Sequence, residues 1–298
     1  MTGASGQLGR ELAACAACVG DCVAYDRRAL DLADEAAIAA KVRAAAPDVI
    51  VNAAAYTAVD RAESERDAAF AVNAHGVGVL AEEAKRANAL LVHYSTDYVF
   101  DGERDAPYDE AAAVNPRNVY GASKLAGERA IASSGACAIT LRTSWVYGRH
   151  GANFLMTMQR LALAQRELRV VADQTGVPNW SRWLARTTVE LLGKGIADLR
   201  ERSGLYHLSA RGSTTWFGFA QAILAGWPNV QVTPIATADY PTPAARPRHS
   251  VLDASRFARV FGVALPDWEA LLRECLRAAA SPGGGYGVAP SPSRTPIA

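Results

Sequence analysis

Four short apolar runs alternate with long alanine-rich stretches in the first half of the chain, and this alternation constrains the fold more than any other feature. The runs are DCVAYD (21–26), DVIVNAA (48–54), ALLVHYS (89–95) and ACAITLR (136–142). They read as buried strands. The stretches 7–19, 34–46, 62–87 and 119–134 read as helices. Strands that alternate with helices imply a parallel sheet covered on both faces. Right-handed crossovers then make the sheet doubly wound, in the Rossmann-like manner. After Tyr147 the pattern changes. Helix-like segments at 152–166, 180–200, 214–225 and 267–280 are separated by short strands and proline-bearing loops, among them YPTPAARPRH (240–249). The expected organisation is α/β: a dinucleotide-binding domain over 1–148, the remaining sheet strands and a smaller C-terminal substrate lobe over 149–280, and a disordered Gly/Pro/Ser-rich tail over 281–298.

The first glycine motif places a ligand on this framework. Gly3, Gly6 and Gly9, in GASGQLG, let the backbone turn tightly and approach a pyrophosphate at a helix N-terminus. The run 21–26 ends in Asp26, 17 residues after Gly9. An acidic residue there can bind the adenosine ribose hydroxyls. It can equally be a turn residue at a strand end. Asp26 favours NADH, whereas Arg27 and Arg28 could grip a 2′-phosphate, so NADPH or NADH stays open. Only Met1 and Thr2 precede Gly3. A fingerprint of this kind follows a strand that is central to the sheet. The expectation is therefore a truncated first strand: the natural polypeptide would start four to six residues upstream with Val/Ile/Leu-rich sequence. The chain as written would be unstable or would fold with a gap in the sheet.

The chemistry is carried by three segments. The run 89–95 leads into Ser95-Thr96-Asp97-Tyr98-Val99-Phe100, and Tyr120-Gly121-Ala122-Ser123-Lys124 opens a helix. A YxxxK spacing puts both side chains on one helix face, one turn apart. A nearby ammonium lowers the pKa of a tyrosine. Tyr120 could then give its proton to a carbonyl oxygen as hydride reaches the carbon. Lys124 could also bind the nicotinamide ribose, and Thr96 could bond the substrate oxygen and stabilise developing alkoxide. A Tyr and a Lys four residues apart are individually unremarkable. Their order after the glycine loop, NAAA (52–55) and STDYVF (95–100) makes chance a poor explanation.

These segments together resemble an extended short-chain dehydrogenase/reductase, and within it the dTDP-4-dehydrorhamnose reductase family. The similarity runs from Gly3 to about Cys275. It includes PDVIVNAAAYTAVDRAE (47–63), VHYSTDYVFDG (92–102), NVYGASKLAGE (118–128), RTSWVYG (142–148), DQTGVP (173–178), GLYHLS (204–209) and YPTPAARP (240–247). The resemblance implies that Gly6, Gln7 and Leu8 contact the cofactor pyrophosphate, that Asp26 meets its ribose and that Asp31 and Leu32 meet its adenine. Ala54, Ala55 and Tyr56 would line the cofactor channel. Thr96, Asp97, Trp145 and Asn153 would face the sugar, with core packing the alternative for Trp145. Arg246 would hold the diphosphate, a role that Arg248 could take instead. The implied reaction is hydride transfer to C4 of a dTDP-linked 4-keto-6-deoxy sugar. Magnesium is possible by the same resemblance, but no carboxylate cluster places it. A homodimer is possible. Another nucleotide-sugar 4-keto reductase or epimerase would share the catalytic residues, and a non-catalytic regulatory subunit of methionine adenosyltransferase is a relative of a different class.

Composition narrows the setting. Net charge is +1 over 298 residues, with no basic stripe, which argues against nucleic acid. No apolar run approaches the ~20 residues that span a bilayer, and the start lacks a signal-peptide layout. The expectation is a cytoplasmic protein with reduced cysteines. Cys15 and Cys18 are expected to be small buried hydrophobes of the first helix, and no second CxxC or nearby histidine completes a metal or redox set with them and Cys22.

Overall fold

The computed structural model describes residues 1–280; the expected tail from Ser281 lies outside the described residues. Four parallel strands form the central sheet, in the spatial order Val49–Asn52, Leu90–Thr96, Ala138–Thr143 and Gly204–His207. Register is continuous: Val51 pairs with Val92, Val92 with Ile139, and Ile139 with Gly204. Every residue of Leu90–Thr96 is buried. A strand covered on both faces must be apolar throughout or carry bonded polar groups. Alternate side chains therefore enter two different cores. Leu90, Val92 and Tyr94 join Leu12, Leu184, Val189 and Phe257 on one face. Leu91 joins Ile38, Val42, Leu80 and Ile131 on the other. Helices Gln7–Ala16, Ser181–Gly193 and Ser255–Phe261 thus cover one face. Helices Glu35–Ala45, Gly76–Arg86 and Val119–Ser134 cover the other. The expected α/β parallel sheet is present, and the second half of the chain supplies its last strand.

A separate core lies outside the sheet. It gathers Tyr147, Leu155, Met158, Trp180, Phe219 and Trp268. A parallel pair, Glu167–Val171 with Gln231–Ile235, borders it. Among the described residues no helix is long and apolar enough to cross a membrane.

Three local expectations are corrected. The run 21–26 is not a strand but a single bridge at Tyr25. Thr2 bridges in parallel to both Tyr25 and Asn52, so Met1–Thr2 is all that separates 23–25 from the sheet. Below that bridge, a groove of about 480 Å³ opens between Asp21–Val23 and Pro47–Ile50. The expected gap in the sheet is therefore observed: residues 21–24 are exposed, with the Val23 carbonyl accepting from the Met1 amine at 2.6 Å. The expected helix over 62–87 is broken into Val59–Ala62, Arg66–Phe70, a π turn Ala71–His75 and Gly76–Arg86. Such π turns favour functional positions; here the turn carries Asn73, which bonds two neighbouring segments. The first helix stops at Ala16, which leaves Cys18 exposed instead of buried. Alanine and cysteine beside Gly20 provide too few large apolar groups to hold another turn against the sheet.

Candidate active site

The glycine loop abuts the end of strand Val49–Asn52. Gly3 has φ +74°, and a Cβ there would lie 2.6 Å from the Ala54 nitrogen. A Cβ on Gly9 would lie 1.9 Å from the Gly3 carbonyl oxygen. Only glycine permits both the left-handed turn and this helix-on-loop approach. Gly6 precedes helix Gln7–Ala16, and no side chain caps that helix. Its first N–H groups and their partial positive charge are thus available to an anion. Leu8 packs at the margin of the sheet core. Gln7 donates to the Ala152 carbonyl at 3.4 Å, which brings the loop beside the segment that precedes Asn153.

Asp26 lies just past the bridge at Tyr25. Its carboxylate accepts from the backbone N–H groups of Arg28 and Ala29 at 3.0 and 2.9 Å, the bonds of an Asx turn. Asp31 accepts from Ala33 N–H and from exposed Arg27. Leu32 is buried, and its carbonyl oxygen touches Gly76 closely enough that a side chain would not fit there. Both aspartates therefore shape the turn. The sequence alternative for Asp26, a turn residue, is seen directly.

At the end of strand Leu90–Thr96, Thr96 is buried and its hydroxyl bonds Asp97 Oδ1 at 3.1 Å. It also lies beside Tyr120 and lowers the proton affinity of that hydroxyl. Helix Val119–Ser134 starts under an Asn118 cap, whose Oδ1 accepts from Gly121 N–H at 2.8 Å. This cap fixes where the Tyr120–Lys124 face begins. Gly121 is required, because a Cβ there would sit 2.1 Å from the Tyr98 carbonyl oxygen. The Tyr98 and Tyr120 rings meet edge to face at 5.8 Å. Asn73 ties Tyr56 to the same helix: its Oδ1 accepts from Tyr56 N–H, and its Nδ2 donates to the Tyr56 carbonyl and to Ser123 Oγ. Ser123 Oγ in turn donates to the Tyr120 carbonyl. Ala54–Tyr56, the residues expected to line a cofactor channel, are thereby brought to the Thr96–Tyr120–Lys124 group.

Burial governs the acid–base character of this group. Tyr120 is partly exposed, yet burial of its hydroxyl end pushes its pKa up to about 12, against the lowering effect of Thr96. The lowering expected from a neighbouring ammonium is not the dominant effect. Lys124 instead donates to the Tyr94 carbonyl at 2.6 Å, and burial brings it down to about 8, against the pull of Glu128. Burial also raises Asp97 to about 7, opposed by the nearby Ser250 and Thr96 hydroxyls, of which Thr96 bonds Oδ1. Beneath the site, Arg142 and Glu128 form a buried two-pronged ion pair at 2.8 and 2.6 Å, which Ser95 joins at 2.5 Å.

The remaining substrate candidates divide. Trp145 adopts φ +42°, an uncommon conformation for a bulky residue. Its ring stacks on Trp216 at 3.6 Å with 7° between planes and packs against Gly176. Strained backbone that presents a partly exposed aromatic face is typical of binding sites. Trp216 was not singled out from sequence, because a tryptophan at a helix start reads equally well as core. Asn153 caps helix Phe154–Ala164 and donates to the carbonyls of Gly148 and His150, so its side chain has structural partners on every side. Arg246 is buried, and its fork is held by both oxygens of Asp60 at 2.9 Å and by the Ala244 carbonyl. Its charge acts on Tyr98, which places it beside the site. Arg248 is exposed and paired with Asp105. Asp60, Asn52 and His93 are further polar residues of the site region that sequence reading passed over, since each sits in a run that reads as ordinary strand or helix.

A parallel sheet with helices on both faces, a glycine turn opening a helix, and a group of buried Thr96 and Lys124 with half-buried Tyr120 at the sheet's carboxyl edge define an oxidoreductase of the extended short-chain dehydrogenase/reductase type. The family model described as RmlD substrate binding domain matches residues 1–281, and the chain belongs to that family. It is 47% identical over 292 residues to the dTDP-4-dehydrorhamnose reductase of Burkholderia thailandensis, covering 93% of this chain and 97% of the relative. It is 41% identical over 285 residues to that of Escherichia coli K12, covering 92% and 95%. Its structure matches the Bacillus anthracis dTDP-4-dehydrorhamnose reductase in complex with NADP with TM-score 0.86 and 37% identity, covering 93% and 97% of the two chains.

Proposed function

We propose that the chain is an NAD(P)H-dependent reductase that converts the C4 keto group of dTDP-4-dehydro-L-rhamnose to the alcohol of dTDP-L-rhamnose. The observation that carries this reading is the placement of Thr96 beside the Tyr120 hydroxyl at the end of the central strand, with Lys124 one turn on, buried against the Tyr94 carbonyl, and the glycine loop beside the neighbouring strand end. The residues present fit a dinucleotide. The backbone at Gly3 and Gly9 leaves no room for side chains, and the N-terminus of helix Gln7–Ala16 carries no capping side chain. Gly6, Gln7 and Leu8 would hold the pyrophosphate, Asp26, Asp31 and Leu32 the adenosine end, and Ala54–Tyr56 the channel. When bound, the nicotinamide supplies hydride to the keto carbon.

The protein's own part is proton delivery and orientation. With its pKa pushed up, Tyr120 keeps its proton at neutral pH, as a donor must. Thr96, beside the Tyr120 hydroxyl, would position the carbonyl oxygen that receives the proton. Lys124 offers N–H donors to the cofactor ribose. Asp97 and the Trp145–Trp216 stack would bound the sugar. Arg246, clamped by Asp60, would present its remaining donors to the diphosphate; the clamp fixes the guanidinium in advance, which reduces the ordering cost of binding. Residues 149–280 would then contribute both the last sheet strand and the sugar-binding lobe. Among the described residues no group of three His, Cys, Asp or Glu side chains is placed to hold a metal ion, so no step is derived through magnesium.

The test is NADPH and NADH oxidation with dTDP-, UDP- and GDP-linked keto-sugars. Turnover with the dTDP-linked sugar is expected. Tyr120→Phe should preserve the fold and lower kcat by about 10²–10⁴-fold. Preference for a UDP- or GDP-linked sugar would move the substrate assignment, and near-normal turnover in the variant would remove Tyr120 from the proton step.

A further inference from the structure

A chain of buried polar groups runs from the glycine loop to Lys124. Thr2, Asn52, His93 and Lys124 are each at most 3% exposed. Asn52 Oδ1 accepts from Thr2 Oγ1 at 2.7 Å and from the Ala54 backbone N–H at 3.1 Å. A backbone N–H can only donate, so this amide cannot be reversed without setting donor against donor. The other end of the amide, Nδ2, faces His93 Nδ1 at 3.0 Å. An amide nitrogen also only donates, so Nδ1 must be the acceptor. Burial, with the charge of Lys124 beside it, holds the His93 pKa well below its ordinary value, so the ring is neutral. A neutral imidazole carries one hydrogen, and with Nδ1 accepting, that hydrogen is on Nε2. Nε2 faces Lys124 Nζ at 3.4 Å.

We propose that His93 is a positioning residue for Lys124, locked by Asn52 in the tautomer with its hydrogen on Nε2 and presenting that hydrogen to the lysine nitrogen. A neutral amine can accept it, whereas an ammonium meets it donor to donor. The ring thus disfavours the charged lysine. Glu128 acts oppositely from the same helix, although its charge is shared with Arg142. The Tyr94 carbonyl also accepts from Lys124, and Tyr120 lies one turn earlier on that helix. The balance leaves Lys124 able to gain or lose a proton near neutral pH, so His93 would set the pH at which the lysine ceases to support reduction. This consequence for turnover rests on the reductase reading, but the tautomer does not.

The experiment is nitrogen NMR on the full chain with labelled histidine and lysine. In the unaltered protein the His93 hydrogen should be on Nε2; a hydrogen on Nδ1 overturns the proposal without any variant. Asn52→Asp replaces the donor by an acceptor. It should draw the ring hydrogen to Nδ1, turn the Nε2 lone pair toward Lys124 and raise the lysine's titration midpoint by about one to three pH units. The alkaline limb of kcat should move the same way. In the double variant that adds His93→Leu, most of that rise should vanish. If it persists, the carboxylate acts directly and His93 is not the intermediary. Absence of turnover with the keto-sugar alongside the expected tautomer would sink the reductase reading and leave the histidine assignment standing.

Discussion

Asp97→Asn isolates one electrostatic consequence of burying the site. Asp97 is 2% exposed, and burial lifts its pKa from 3.8 to about 7. In the unfolded chain the carboxyl ionises near its ordinary value. Between the two values the folded state therefore holds a proton that the unfolded state has released. A raised folded pKa means that this group's contribution is fully present below pH ~4 and is lost as pH rises to about 7. At about 1.4 kcal/mol per pH unit, a rise of about three units amounts to roughly 4 kcal/mol. Typical domains have only about 5–15 kcal/mol of net stability. His93 and His207, both held neutral by burial, change stability in the opposite sense over the acid part of this range. The informative quantity is therefore the difference between the two proteins. Asparagine does not titrate, so this difference should move in favour of Asp97→Asn by about 1.4 kcal/mol per unit from pH ~4 to ~7 and be level above. Urea denaturation at a series of pH values measures it. A difference that does not change with pH would refute the claim that Asp97 is buried with its proton.

Two further outcomes follow from the cofactor side of the molecule. Asp26→Ala should shift preference toward NADPH, because a negative charge near a 2′-phosphate is removed. It should also cost about 1 kcal/mol of stability from the lost turn bonds; unchanged KM values for both cofactors would count against the ribose role. The groove beside Met1 should accept an added strand. An N-terminal extension of a few Val and Ile residues should enter between Asp21–Val23 and Pro47–Ile50, pairing parallel in the register that Thr2 begins. Each aliphatic side chain that becomes buried should add roughly 1.5–3 kcal/mol. Calorimetry on the extended and original chains compares them, and an unchanged Tm would show that the groove does not admit a strand.

The sequence alone determined the periodic and the local. Continuous apolar runs must be buried on both faces, so LLVHYS had to be an interior strand of a parallel sheet. The glycine spacing and the YxxxK spacing are local geometry, and both stand in the structure where the spacing put them. What it did not determine depends on partners distant in the chain. The run DCVAYD has strand composition, but a strand needs a neighbour, and only Met1–Thr2 lies beside it. Asp60 and Arg246 are 186 residues apart and form their clamp only when the proline-rich loop folds back over the site. The proton affinity of Tyr120, Lys124 and Asp97 likewise follows from desolvation, which belongs to the packed interior rather than to residue spacing. The orientation of His93 is the extreme case: it is fixed by an amide whose own orientation is fixed by the backbone at Ala54, a sequence of constraints that exists only once two strands lie side by side.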